Sequence, residues 1–174
     1  SFDGNNVPTI KSNFKQIFSP QTAYQMTSIL EGAIERGTGK SLRDLNLQLA
    51  GKTGTTNNNT DTWFIGFTSN LVVGVYVGYD NPKRLGKYET GSKTALPIFK
   101  EFIKKAVNNY EARPFKIAKG IKMMVIDAET GKKADFGSKK TIIESYKKEK
   151  IENQQYSSND KNNSNKFKKN ILKF

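Results

Sequence analysis

Apolar residues recur at helical spacing in two stretches of the chain. After Ser19 and Pro20 they return every three or four residues, which predicts a helix that takes Ser19 as its N-cap and ends at Gly37 and Gly39. The same spacing predicts a second helix over 94–108. Both apolar stripes are expected to pack in the core: Ala23, Met26, Leu30, Ala33 and Ile34 in the first helix, and Ala95, Ile98, Phe99, Phe102, Ile103, Ala106 and Val107 in the second.

Between these helices, β-branched and aromatic runs predict an antiparallel sheet. Residues 62–68 and 71–79 flank Ser69 and Asn70, as the two strands of a hairpin flank their turn. The segment 47–55 predicts a third strand. Three antiparallel strands beside two helices predict an α+β fold.

Two further expectations concern single regions of this pattern. Trp63 lies in a strand pattern, where a lone tryptophan is more often buried packing than a substrate platform, and we expect packing. The loop over 83–92 is expected to rim a cleft.

Beyond the second helix, 123–127 followed by 129–131 predicts a small hairpin. The expected organisation is a turn-rich loop over 1–16, a main domain over 17–112, a small β extension over 113–136 and a disordered tail over 137–174.

Composition limits the chemistry that the chain can perform. The 174 residues contain no cysteine and no histidine, which excludes disulfides, thiolate nucleophiles, Ser-His-Asp triads and Cys- or His-ligated metal sites. The net charge is +13, and the tail over 137–174 holds ten lysines against four acidic residues. This surplus favours, as an alternative function, a basic protein that binds nucleic acid or an anionic surface. Against it, the tail has no arginine, few aromatic residues and no nucleic-acid module.

The segment 51–56, Gly-Lys-Thr-Gly-Thr-Thr, is the part of the chain that most resembles a reactive site. On a strand, Thr53 and Thr55 share one face, and two hydroxyls there can hold a substrate carboxylate. Lys52 adds positive charge, and a desolvated lysine can transfer protons. Gly54 lets an extended peptide lie against the strand backbone.

A phosphate-binding loop is a second alternative for the same residues. Both 39–41 and 51–53 read Gly-Lys-Ser/Thr, the end of a P-loop pattern. The opening glycine of that pattern is absent, because Ile34 and Asn46 stand in its place. Neither segment has the expected context of a glycine-rich loop between a strand and a helix.

Several blocks, in this order and spacing, together resemble the C-terminal part of class A penicillin-binding proteins of the 1A type. The resemblance covers 17–135, and the joint occurrence of the blocks is far more specific than any one of them. It identifies 17–112 as the C-terminal part of a transpeptidase domain and 1–16 as a loop left from its truncated front. The blocks are 19–30, 35–39, 50–56, 61–67, 77–82, 89–91 and 95–97.

The resemblance assigns roles to the Lys-Thr-Gly segment. Lys52 and Thr55 fall on catalytic positions, with the amide of Thr55 completing an oxyanion hole. The substrate-binding positions are Lys52, Thr53, Gly54, Thr55 and Thr56. The family's nucleophilic serine has no counterpart in this chain. Ser-x-x-Lys at 12–15, 145–148 and 158–161 and Ser-x-Asn at 157–159 lack the required context.

The resemblance also implies an activity for the complete protein. It is the cross-linking of peptidoglycan stem peptides by a serine D,D-transpeptidase, which forms an acyl-enzyme and is inhibited by β-lactams. No cofactor or metal is implied. The expected partners are those peptides, β-lactams and the upstream half of the domain, at the periplasmic face of the inner membrane. We expect this chain to have no transmembrane segment or anchor of its own and to be inactive alone.

Overall fold

The computed structural model describes residues 15–107 and 113–148. The predicted loop over 1–16, apart from its last two residues, lies outside this part, as does the predicted tail beyond residue 148. The elements in chain order are α1 (Pro20–Glu35), a 3-10 helix (Lys40–Leu45), β1 (Ala50–Thr55), a 3-10 turn (Asn57–Asn59), β2 (Asp61–Phe67), β3 (Val72–Gly78), α2 (Ala95–Ala106), β4 (Ile121–Asp127) and β5 (Thr141–Lys147).

The start of α1 follows the prediction from sequence. The Ser19 Oγ accepts a hydrogen bond of 3.2 Å from the Thr22 amide, and Pro20 occupies the first turn. The predicted core stripe is only partly correct, because Met26 is 55% exposed. Tyr24 is buried, and Met26 lies about 200° further around the helix, on the opposite side.

The three predicted strands form one antiparallel sheet of order β1-β2-β3, which confirms the α+β fold class. The β2–β3 hairpin turns at Ser69 and Asn70, as the sequence predicts. In the register, Thr53 of β1 lies opposite Phe64 of β2, which lies opposite Val75 of β3. Within the described residues, β1 pairs with another strand along one side only, so it is an edge of the sheet.

Helix α2 covers one face of this sheet. Phe64 and Phe99 are both fully buried, and their ring centroids lie 4.7 Å apart. Gly66 makes this approach possible, because a Cβ at that position would lie 2.6 Å from the Phe99 ring. The predicted stripe of α2 is too wide, since Ile98 and Phe102 are exposed. A helix packed on a sheet buries one side only.

A two-stranded sheet of β4 and β5 follows α2. The predicted hairpin over 123–131 is therefore wrong in its second strand, although Ile126 forms an isolated bridge with Lys133. The expected disorder from residue 137 is also wrong for 141–147, which is β5. The reason is that Ile142 and Ile143 lie opposite apolar residues of β4. This pairing outweighs the polar, lysine-rich composition of the segment that begins at residue 137.

The β4–β5 sheet is attached to α1 through polar side chains and through the buried Tyr24, whose hydroxyl lies 3.9 Å from the Met123 sulfur of β4. Glutamines of the helix donate to backbone carbonyls, while a lysine and an acidic residue of β5 contact the helix in turn. The contacts are Gln21 Nε2 to Lys119 O (2.8 Å), Gln25 Nε2 to Ser145 O (3.0 Å), Lys147 Nζ to Thr22 Oγ1 (2.9 Å) and the ion pair of Arg36 with Glu144 (3.1 Å).

We predict that Gly66→Ala destabilises the chain, because the added methyl group collides with the buried Phe99 ring. Overpacking of this kind costs about 1–3 kcal/mol in the free energy of unfolding, measurable by chemical denaturation. Gly74→Ala is the matched control in the same sheet, because its Cβ would meet only a side-chain carbon at 3.9 Å. Equal losses for both variants would contradict the packing described for Gly66.

The turn after β4 should loosen in acid. The Thr130 amide (2.7 Å) and hydroxyl (2.9 Å) and then the Glu129 amide (3.0 Å) donate to Asp127 Oδ1, and these bonds hold the pKa of Asp127 below its ordinary value. A carboxylate with a lowered pKa stabilises the folded form above its unfolded pKa, and this contribution is lost as the pH falls through the folded pKa.

The measurement is a pH titration of the Thr130 amide by NMR. We expect a midpoint below about 3.9, the ordinary pKa of aspartate. Asp127→Ala should abolish the transition. A midpoint at or above the ordinary value would show that the hydrogen bonds of this turn do not stabilise the carboxylate.

Candidate substrate-binding site on the edge strand

The Lys-Thr-Gly segment lies in β1, at the edge of the sheet. Lys52 and Gly54 lie on the face away from α2, opposite Ile65 and Trp63 of β2. Lys52 is exposed, and its Nζ donates to the carbonyl of its own neighbour Thr53 at 3.1 Å. None of the described residues therefore encloses the Lys52 ammonium group in a groove or forms an ion pair with it.

The hydroxyls of Thr53 and Thr55 lie on the other face of β1, and each has a partner from a different loop. Thr53 Oγ1 is 2.8 Å from Thr38 Oγ1, in a hydrogen bond that either hydroxyl can donate. Thr55 Oγ1 accepts a hydrogen bond of 3.0 Å from the Gly91 amide. Thr55 is exposed, so its hydroxyl remains within reach of a ligand.

Thr56 has a structural use in the turn between β1 and β2. Its hydroxyl accepts from the Asp61 amide at 2.9 Å and lies 2.9 Å from the Thr60 hydroxyl. Its own amide donates to the Asp61 carbonyl at 3.0 Å. The turn thus closes at the end of the Lys-Thr-Gly segment.

The face of the sheet that carries Lys52 is apolar and open. The predicted burial of Trp63 is wrong, because this side chain is 42% exposed. Helix α2 covers the opposite face of the sheet, so this helix does not bury Trp63. The Trp63 ring packs instead against Tyr76, with ring centroids 4.8 Å apart. Ile65 and Val72, on the same face, are more than half exposed.

Tyr76 is fixed by a polar contact at the end of this face. Its hydroxyl donates to Asp61 Oδ1 at 2.9 Å. This hydrogen bond, together with partial desolvation and the negative charges of Asp61 and Asp80, raises the pKa of Tyr76. Tyr76 is therefore a neutral hydrogen-bond donor and not a proton-transfer group at neutral pH.

The loop between β3 and α2 lies against the end of the Lys-Thr-Gly strand. Arg84 Nε donates to the Asn58 carbonyl at 3.1 Å, and the Leu85 amide donates to the Asn59 carbonyl at 2.9 Å. Gly91 then contacts Thr55 as described above. The sequence predicts that this loop rims a cleft, and the loop does border β1. Thr38 and Gly91 fall in the family-like blocks 35–39 and 89–91, but the sequence does not show that they contact the hydroxyls of β1.

The other candidate sites lie in unsuitable surroundings. Ser145 is in β5 and largely buried, with its carbonyl bonded to Gln25. Residues 39–41 lie at the start of a short 3-10 helix that follows α1, and 51–53 lie inside β1, so neither forms a strand-loop-helix cradle. The pattern at 12–15, apart from Lys15, and the serines of the tail lie outside the described residues.

Among residues 15–107 and 113–148, no helix combines the length and apolar character needed to cross a bilayer.

Comparison with known proteins agrees with the arrangement of this fold. The profile of the penicillin-binding protein transpeptidase domain matches residues 9–104. Penicillin-binding protein 1A of Rickettsia typhi is 46% identical over 142 residues, which cover 82% of this chain and 18% of that protein. The corresponding protein of Pseudomonas aeruginosa is 40% identical over 136 residues, 78% of this chain and 16% of its own.

A solved structure supports the same relationship. The crystal structure of penicillin-binding protein 1A from Haemophilus influenzae matches with a TM-score of 0.65 and 31% identity, covering 73% of this chain and 20% of that one. The chain thus spans about a fifth of the length of the relatives that it matches. Because the family profile covers more than half of the chain, this protein belongs to the penicillin-binding protein transpeptidase family, of the 1A type.

Proposed function

We propose that this chain supplies the Lys-Thr-Gly part of a peptidoglycan D,D-transpeptidase, and that the nucleophilic serine comes from the upstream half of the same domain. The observation that supports this most strongly is the position of the segment on an edge strand. No other strand of the described residues competes for that edge, so an extended peptide can lie along it.

Each residue of the segment has a role in this proposal. Lys52 attracts the anionic end of the peptide and takes part in proton transfer once the upstream half encloses it. The hydroxyls of Thr53 and Thr55 hold the substrate carboxylate, Gly54 leaves room for the peptide backbone, and Thr56 holds the adjoining turn closed. The Thr55 amide stabilises the oxyanion that forms when the serine attacks the peptide carbonyl.

The upstream half would pack on the open face of the sheet. That face carries Trp63, Ile65, Val72 and Tyr76, which are between 42% and 70% exposed, beside Lys52. Contiguous exposed apolar residues of this kind mark an interaction surface. Packing there would remove them from water and bring the serine to the side of the sheet from which Lys52 projects. In the complete protein this assembly would lie at the periplasmic face of the inner membrane.

We expect the chain alone to form no covalent adduct with benzylpenicillin, because it lacks the nucleophile. Co-expression with the upstream part of the Rickettsia typhi transpeptidase domain, a relative that is 46% identical, should restore acylation at a serine of the added part. Intact-protein mass spectrometry of both components is the measurement. In the same assembly Lys52→Ala should slow acylation by about a hundredfold or more, as expected for loss of a proton-transfer group.

Lys105→Ala, at the solvent-exposed end of α2, serves as the control for loss of one positive charge. An acylated residue within the chain alone would overturn the expected inactivity. If the two parts copurify and yet neither is acylated, the proposed function fails.

Docking of the upstream half can be tested separately from catalysis. Ile65→Lys places a charge on the open face and should prevent copurification, because a charge buried without a partner is strongly unfavourable. Ile98→Lys is the matched control, since Ile98 is 53% exposed, against 51% for Ile65, but lies on α2. If both variants copurify equally well, the open face is not the docking surface.

A further inference from the structure

We propose that Gly91 is a positioning residue, whose amide sets the Thr55 hydroxyl as a hydrogen-bond donor toward the substrate carboxylate. This inference rests on the proposed function and adds a residue to it. Gly91 lies 36 positions from Thr55 in the loop before α2, and no part of the Lys-Thr-Gly pattern includes it.

The direction of the hydrogen bond between these residues is certain from its chemistry. A backbone N–H can only donate, so Thr55 Oγ1 is the acceptor in the 3.0 Å contact with the Gly91 amide. The hydroxyl has one proton, which this bond leaves unused. Because an ionised carboxylate only accepts hydrogen bonds, a hydroxyl in this state is suited to bind it.

Thr53 differs from Thr55 in this respect. Its hydroxyl shares a 2.8 Å hydrogen bond with the Thr38 hydroxyl, and either of the two can be the donor. The proton of Thr53 is therefore free for a ligand only when Thr38 donates. Of the two hydroxyls of the segment, only that of Thr55 has a partner that can act solely as a donor. The Thr55 hydroxyl therefore accepts from this partner and keeps its own proton for a ligand.

Gly91 can make this contact because it has no side chain. It is buried, and a Cβ there would lie 2.5 Å from the Trp63 carbonyl oxygen and 2.6 Å from the Gly54 carbonyl oxygen. Backbone atoms cannot move aside as the end of a flexible side chain can. The close approach of Gly91 to Gly54 therefore requires glycine at position 91.

The position of the Gly91 amide is in turn determined by α2. The Gly91 carbonyl accepts a hydrogen bond of 2.8 Å from the Leu96 amide, in the first turn of that helix. The preceding carbonyl, of Thr90, accepts from the amides of Lys93 and Thr94 at 2.9 and 3.0 Å. Leu96 is buried against the sheet, so the turn that carries Gly91 is anchored in the core.

The test is an NMR titration of the full 174-residue chain with N-acetyl-D-alanyl-D-alanine and with the C-terminal amide of the same dipeptide. The ratio of the two dissociation constants measures recognition of the carboxylate. Replacing the amide between Thr90 and Gly91 by an ester removes the N–H without adding atoms. We expect this change to reduce the preference for the acid by about tenfold, the upper range for one hydrogen bond.

The role of Thr55 is tested in the same titration. Thr55→Val should reduce the preference for the acid at least as much as the ester does, whereas Thr55→Ser should retain it. In the Thr55→Val background the ester should have no further effect, because Gly91 acts through the hydroxyl. A purely structural role would instead weaken the binding of both ligands equally and shift amide signals throughout the sheet. Gly74→Ala, in open space on the same sheet, is the control.

The outcomes separate this inference from the proposed function. If the unmodified chain prefers the acid and the ester leaves that preference unchanged, the role of Gly91 is wrong while the proposed function stands. If the unmodified chain binds neither dipeptide, this inference is overturned, while the proposed function is decided by acylation of the assembly with the upstream half. A reduced preference in the ester and Thr55→Val variants, with Thr55→Ser unaffected, supports the inference.

Discussion

The contact between helix α2 and the sheet determines where the loop before α2 meets the Lys-Thr-Gly strand. Phe99 packs on Phe64 over Gly66, in a core that excludes water completely. Burial of the two phenylalanine rings stabilises this contact by about 1.5–3 kcal/mol for each side chain. Because the loop before α2 carries Gly91, the same packing also places a backbone amide beside Thr55. The hydrophobic core and the polar edge of the sheet are thus parts of one arrangement.

The two faces of the sheet have different surroundings. One face is covered by α2 and lacks exposed apolar residues on β2, while the other presents Trp63, Ile65 and Tyr76 to solvent. A three-stranded sheet with a single covered face and two open edges buries less surface than a domain of this length normally does. This asymmetry agrees with a chain that spans about a fifth of its relatives.

Local signals in the sequence predict the local elements of the fold well. The capping serine, the helical spacing and the Ser69-Asn70 turn specify α1, α2 and the β2–β3 hairpin, because each depends on residues close in sequence. Strand β5 is missed because it lies within a lysine-rich segment, although it holds only one lysine itself, and its apolar residues can be recognised as a strand face only beside β4. Trp63 is assigned to the core because alternation reveals that a strand has two faces, but not which of them is covered.

In the candidate site, too, the sequence predicts residues that are adjacent in the chain but not contacts between distant residues. Sequence identifies Lys52, Thr53, Gly54 and Thr55 as a group, since they are consecutive on one strand. It includes Thr38 and Gly91 in the family-like blocks 35–39 and 89–91 but does not reveal their contacts to the site, because these cross 15 and 36 positions of the chain. Such contacts follow from how the helices pack, and no short pattern encodes them.

The attachment of the β4–β5 sheet to α1 has a consequence for the motions of the molecule. Glutamine amides, one lysine and one ion pair supply polar contacts at this junction beside the buried Tyr24, and such polar groups exchange readily for water. We therefore expect the terminal sheet to detach at a lower free energy than the phenylalanine core unfolds. Amide hydrogens of β4 and β5 would exchange with solvent ahead of those in β2, while the edge strand beside α2 keeps its shape.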